Sequence, residues 1–154
     1  MKKVELWAVG KPKFRELQPL EDLYRQRINY FVQFSIKNLQ EFHGDNEKRI
    51  QTQEGEMILK ALKERDTLVA LDRGGRRFDS PGFARFLERT LASAGGRLVF
   101  LIGGFCGLGP ILDSRIQAKV SFSDLTFGHD VFRVLFLEQL YRGFTLIHGM
   151  TYHR

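Results

Sequence analysis

Short apolar runs alternate with stretches of helical period along the whole chain, and this alternation restricts the fold more than any other feature. Val4 to Val9 reads as a strand that ends at Gly10-Lys11-Pro12. Residues 14–31 read as a helix with Leu17, Leu20, Leu23, Tyr24, Ile28 and Phe31 on one face and Pro19 in or near its first turn. Phe34, Ile36 and Leu39 mark a second strand, and Asn46 caps a helix that reaches Leu62. Thr67 to Asp72 has the unbroken apolar character of a buried parallel strand, and a turn at Arg73-Gly74-Gly75-Arg76-Arg77 follows it. Ser80 and Pro81 supply the cap and first position of a third helix, which Gly95-Gly96 stops. Leu98 to Ile102 is a fourth strand, followed by a glycine loop from Gly103 to Gly109 and a short helix opened by Pro110. Val120 to Phe122 is a fifth strand, and a last helix runs from about Asp130 to Ile147. Strands and helices in such alternation give the α/β class, with a mostly parallel sheet flanked by helices.

At 154 residues the chain fits one domain spanning 1–154, and 43% hydrophobic with 27% charged residues is the balance of a globular protein, not of a disordered one. Its longest apolar run, Leu98 to Leu112, holds four glycines and a proline and is too short to cross a bilayer. The first residues show no export signal, and a single cysteine, Cys106, excludes an internal disulfide framework and fits a reducing cytoplasm. The four histidines and one cysteine lack ligand spacing, so no metal site is expected. A net charge of +6 favours polyanionic partners.

The last helix is apolar on nearly all sides, with Val131, Phe132, Val134, Leu135, Phe136, Leu137, Leu140, Tyr141, Phe144, Leu146 and Ile147. A domain this small covers one face of such a helix with its own sheet; the other face points to a two-fold homodimer. Strand, glycine loop, helix is an arrangement by which backbone amides approach a nucleotide-like ligand. Ligands of parallel sheets bind outside the carboxyl ends of the strands. Leu71-Asp72, Gly103-Gly104 and the segment Ser121 to His129 converge there. The last of these mixes apolar side chains with hydroxyls, which suits a flat aromatic ligand such as adenine. The glycine loop lacks the spacing and position of a dinucleotide fingerprint, which argues against a nucleotide-binding oxidoreductase.

Several separated motifs resemble one family. Leu101-Ile102-Gly103-Gly104-x-x-Gly107-Leu108, Ser121-Phe122-Ser123-x-Leu125-Thr126-Phe127-x-His129, Arg133-Val134-Leu135, Glu138-Gln139-x-Tyr141-Arg142 and the terminal Tyr152-His153-Arg154 are similar to the RlmH family of SPOUT-class methyltransferases. The similarity runs from Ala8-Val9-Gly10-Lys11 to the last residue. It implies a parallel α/β fold whose C-terminal segment threads a trefoil knot, a dimer, and methylation of N3 of a pseudouridine in large-subunit ribosomal RNA. It further implies that Leu71, Gly103, Phe122, Ser123, Asp124, Leu125, Thr126 and Phe127 hold S-adenosylmethionine. Phe105-Cys106 and Gly128 stand where family members carry other residues, and these departures bear on the local shape of the pocket.

The N3 position of a uracil-type ring is a weak acid, so the chemistry needs a proton acceptor or groups that stabilise the developing anion. His129, His153 and Tyr152 are candidate acceptors, and Arg142, Arg133 and Arg154 candidate cations. The resemblance places the tail by the cofactor and so favours Tyr152, His153, Arg154 and Arg142 as the catalytic set, with Glu138 orienting Arg142. Lys11, Lys13, Arg15, Arg73, Arg76 and Arg77 follow carboxyl ends of strands and are placed to hold phosphates of the ribosome. The alternative is a non-catalytic protein that binds S-adenosylmethionine or RNA and assists ribosome assembly.

Overall fold

A computed structural model of the chain describes residues 1–152. Five strands, β1 (Lys3–Val9), β2 (Gln33–Leu39), β3 (Thr67–Arg77), β4 (Leu98–Ile102) and β5 (Ile116–Ser121), form one sheet in the order β2-β1-β4-β3-β5, all parallel. Four helices flank it, three of them between strands, α1 (Gln18–Ile28), α2 (Glu47–Ala61) and α3 (Ser80–Ser93), and one after the last strand, α4 (His129–Ile147). The period of two along each strand sorts side chains between two cores. Leu6, Ala8, Phe100 and Val69 meet Ile28, Phe83, Leu87, Phe136 and Phe144 on the face covered by α1, α3 and α4. Trp7, Val9, Val99 and Leu101 meet Ile58 of α2, Leu62 just after it, and Leu112, on the other. All of β4 is buried, as its unbroken apolar sequence requires in the middle of a covered sheet.

The elements depart from the sequence expectations in instructive places. The helix expected over 14–31 is a 3₁₀ turn, Arg15–Leu17, followed by α1. Pro19 has no amide to donate and sits in the first positions of α1, so the regular helix begins only there. Its end is set by Asn29, whose side chain pairs with both the N–H and the C=O of Phe34, at 2.9 and 3.1 Å, and turns the chain into β2. The cap of α3 is Asp79, not Ser80: the Asp79 carboxylate accepts the Gly82 N–H at 2.7 Å, while the Ser80 hydroxyl donates to Gln139. Pro110 opens a 3₁₀ turn, Pro110–Leu112, in place of the expected helix. β5 begins four residues before the expected Val120, because Ile116 and Ala118 alternate with exposed Gln117 and Lys119.

The expected turn at Arg73–Arg77 lies within β3. Val120 of β5 pairs with Leu71 and again with Arg76, so β3 leaves the ladder for residues 72–75 and rejoins it. Gly75 makes the return possible. A Cβ there would stand 2.5 Å from the backbone carbon of Lys119, a distance no side chain tolerates.

Candidate active site

The carboxyl ends of β3, β4 and β5 enclose a cavity of about 210 Å³. Leu71, Gly103, Phe122, Ser123, Leu125, Thr126 and Phe127 all line it; Asp124, the remaining residue of that expected set, does not. Asp124 instead pairs with Arg77 at 2.6 Å on the exposed side of the same loop. Leu71, Ile102, Leu108, Val120 and Phe122 give the cavity apolar walls, and Asp72, Arg73, Ser123 and Thr126 bring polar groups to it. Arg73 donates to the Thr126 hydroxyl at 2.7 Å, linking the β3 excursion to the loop before α4. In that loop the Ser123 hydroxyl accepts the Leu125 N–H at 3.0 Å.

The glycine loop is held from behind by α2. Gln51 donates to the Cys106 carbonyl at 2.7 Å, and Glu54, 3% exposed, accepts the Phe42 N–H at 3.0 Å. Burial pushes the Glu54 carboxyl above its usual range, with the Phe42 amide acting against that rise. Gly104 passes so close that a Cβ would lie 2.9 Å from a Glu54 carboxylate oxygen. This contact gives the second glycine of the pair a packing role beside Glu54 and Val9.

A second cavity, of about 520 Å³, opens toward the end of β1, with Lys11, Lys13, Phe14, Glu41, Phe105 and His129 in its lining. Asp130 organises this side. One of its carboxylate oxygens accepts the N–H groups of both Lys13 and Phe14 at 2.6 Å, and the other lies 3.6 Å from His129 Nδ1. Burial disfavours the Asp130 charge, but the two amides and His129 outweigh it and hold the carboxyl below its usual range. Asp130 carried no signal in the sequence beyond being an acid in the first turn of a helix.

The family described as "predicted SPOUT methyltransferase" matches residues 2–153. The chain belongs to the SPOUT methyltransferase family. The ribosomal RNA large subunit methyltransferase H of Flavobacterium johnsoniae is 38% identical over 97% of this chain and 98% of its own length. The proteins of that name from Phocaeicola vulgatus and Caldicellulosiruptor saccharolyticus are each 36% identical over 98% of this chain, and over 98% and 99% of their own lengths.

In this SPOUT methyltransferase the described members of the expected catalytic set, Tyr152 and Arg142, line neither of these two cavities. Tyr152 donates to Glu138 at 3.1 Å, and its ring lies under the Arg142 guanidinium, 4.8 Å away, and against Tyr141. Burial, Tyr24 and the Glu138 charge keep its phenol protonated well above the usual tyrosine range. Arg142 binds Glu138 through two nitrogens at 3.0 and 2.5 Å, as expected from their spacing. That cluster lies about 14 to 20 Å along α4 from its start, at ~1.5 Å per residue. His153 and Arg154 lie outside the described residues. Arg133, considered as a catalytic cation, is 1% exposed and committed to Glu21 and Asn38, so it holds α4 to α1 and β2. Of the basic residues expected at RNA, Lys11, Lys13 and Arg73 reach the cavities, while Arg76 covers the Phe78 ring. No group of metal-binding side chains occurs among the described residues, and none of the described helices is long and apolar enough to cross a membrane.

Proposed function

We propose that this chain transfers a methyl group from S-adenosylmethionine to N3 of a pseudouridine in large-subunit (23S) ribosomal RNA, acting on assembled ribosomes in the cytoplasm as a homodimer. The observation that carries this reading is the convergence of β3, β4 and β5 on one apolar-walled cavity with polar groups at its edge. The names of the relatives and the motif resemblance supply the substrate. The resemblance also carries a trefoil knot formed by the C-terminal segment, and residues 1–154 acting as one domain.

The donor fits the chemistry of the cavity. Leu71, Ile102, Leu108, Val120 and Phe122 would face an adenine ring, Ser123 and Thr126 would meet polar edges, and Asp72 and Arg73 match the two charges of an amino-acid end. When bound, S-adenosylmethionine supplies a methyl carbon on a positively charged sulfur. With that donor bound, N3 of the base would take the methyl carbon while the electron pair of its bond to sulfur stays on sulfur, and the N3 proton would pass to a base of the chain. The contribution of the chain is positioning and removal of that proton. We assign the proton-transfer and anion-stabilising groups to the tail, His153 with Tyr152 and Arg154, and to Arg142. Because Tyr152 packs on Glu138, Arg142 and Tyr141 and lines neither of these two cavities, we infer that the tail of one protomer serves the cavity of the other. Exposed Leu20, Leu23 and Val131 on α1 and α4 leave apolar surface for that pairing.

The test is transfer of labelled methyl to ribosomes lacking the modification, followed by nucleoside mass spectrometry. A methylated pseudouridine is expected, and removal of His153 and Arg154 should lower turnover by about 10²-fold or more with donor affinity nearly unchanged. Donor binding without any transfer by the intact chain would overturn the reading in favour of an assembly factor.

A further inference from the structure

The two cavities at the strand ends share Ile102, Gly103, Gly104, Thr126, Phe127 and Phe132, so they adjoin. The other described cavities share no lining residue with the donor cavity. What belongs to the second cavity alone differs in character from the first. Phe14 and Phe105 are 57% and 65% exposed and belong to neither core. An exposed aromatic pair at the mouth of a cavity has no packing purpose, and the Phe105 ring is backed by His43, stacked at 6.3 Å with an interplanar angle of 18°. Lys11 and Lys13 form none of the ion pairs among the described residues. The loop that carries Lys11, Lys13 and Phe14 is fixed in place by the Asp130 carboxylate, so these groups are arranged in advance of any ligand. His129 also lines the cavity, and its Nε2 is enclosed with no hydrogen-bond partner.

We propose that this second cavity receives the acceptor nucleoside. The base lies against the Phe14 and Phe105 rings, the flanking phosphates rest on Lys11 and Lys13, and the polar edge of the base engages His129 once that imidazole turns from its enclosed position. Stacking aromatics with free cations beside them is the combination that holds an unstacked base and its backbone, and a small apolar ligand would have no use for the lysines. The shared lining supplies the adjacency that methyl transfer requires, with donor and acceptor side by side in adjoining cavities. This assignment rests on the functional reading above and adds to it the place of the acceptor.

Two double variants test it, Phe14→Ala with Phe105→Ala and Lys11→Gln with Lys13→Gln, measured for ribosome KM and, by calorimetry, for donor Kd. The aromatic variant should raise the ribosome KM about tenfold or more at unchanged donor affinity, which also shows that the fold is intact. The lysine variant should raise KM and flatten its dependence on salt. An unchanged ribosome KM in both variants would overturn the assignment. So would weakened donor binding in the aromatic variant, which would give the cavity to the amino-acid end of the donor. If the unaltered chain transfers no methyl at all, the functional reading fails separately. Photo-crosslinking of a 4-thiouridine-bearing RNA then still judges the cavity, by whether adducts form on the peptides containing Phe14 and Phe105.

Discussion

Arg133 and Asp130 stand three residues apart at the start of α4, and both do structural work that their charge alone does not announce. Arg133 donates to Glu21 through two nitrogens, at 3.1 and 2.6 Å, with both side chains buried. Replacing one partner strands the other charge in the core. Arg133→Met should cost about 3–5 kcal/mol in urea unfolding, and Glu21→Leu combined with Arg133→Met should recover most of that loss. Asp130, like Asp66, has its carboxyl held below the usual range: burial opposes ionisation at both, and hydrogen bonds to amides, and at Asp66 to Arg97, outweigh it. The unfolded chain therefore takes up protons at these sites before the folded one does. Their contribution to stability is complete above the ordinary carboxylate pKa and is lost as pH falls through the depressed folded values. Denaturant titrations between about pH 6 and pH 3 should show falling stability, with a shallower fall in Asp66→Asn; an equal slope in that variant would remove Asp66 from the account. Glu54, raised by burial, acts in the opposite sense.

Among elements, those defined by long uninterrupted patterns were legible in the sequence. β4, the buried half of β3, α2 from its Asn46 cap, and α4 lie within a residue or two of expectation. Those decided by contacts between distant segments were not. The excursion of β3 depends on where β5 passes, and β5 itself alternates so weakly that only its end at Val120 and Ser121 was legible. The same division holds at the site. The residues after β4 and β5 were visible as a glycine loop and a hydroxyl-rich segment, but the second cavity needs β1, β4 and α4 side by side before Phe14 and Asp130 acquire a meaning. The excursion gives a test at this scale. Gly75→Ala forces the Lys119 backbone to move and should cost about 1–3 kcal/mol. It should also weaken donor binding, because Asp72 and Arg73 ride on the same four residues.

For the whole molecule, the proposed homodimer makes the catalytic tail and the donor cavity properties of two chains at once. Leu20→Lys with Leu23→Lys should shift the protein toward monomer in sedimentation velocity and lower methyl transfer as the monomer fraction grows; a variant that is monomeric and fully active would show that one chain suffices. The sequence gave no sign that Tyr152 folds back onto Glu138 and Arg142, since that depends on how the chain turns after α4 ends. The strand order has a consequence for how the molecule is made. β4 lies between β1 and β3, and both of those precede it in the chain. During synthesis, β1 with β2 and the solitary β3 must wait until Leu98–Ile102 leaves the ribosome before one sheet exists. Until then the inner edge of β1 and both edges of β3 are unpaired, and the core closes only after β5 and α4, which carries Phe136, Leu137, Leu140 and Phe144, have followed.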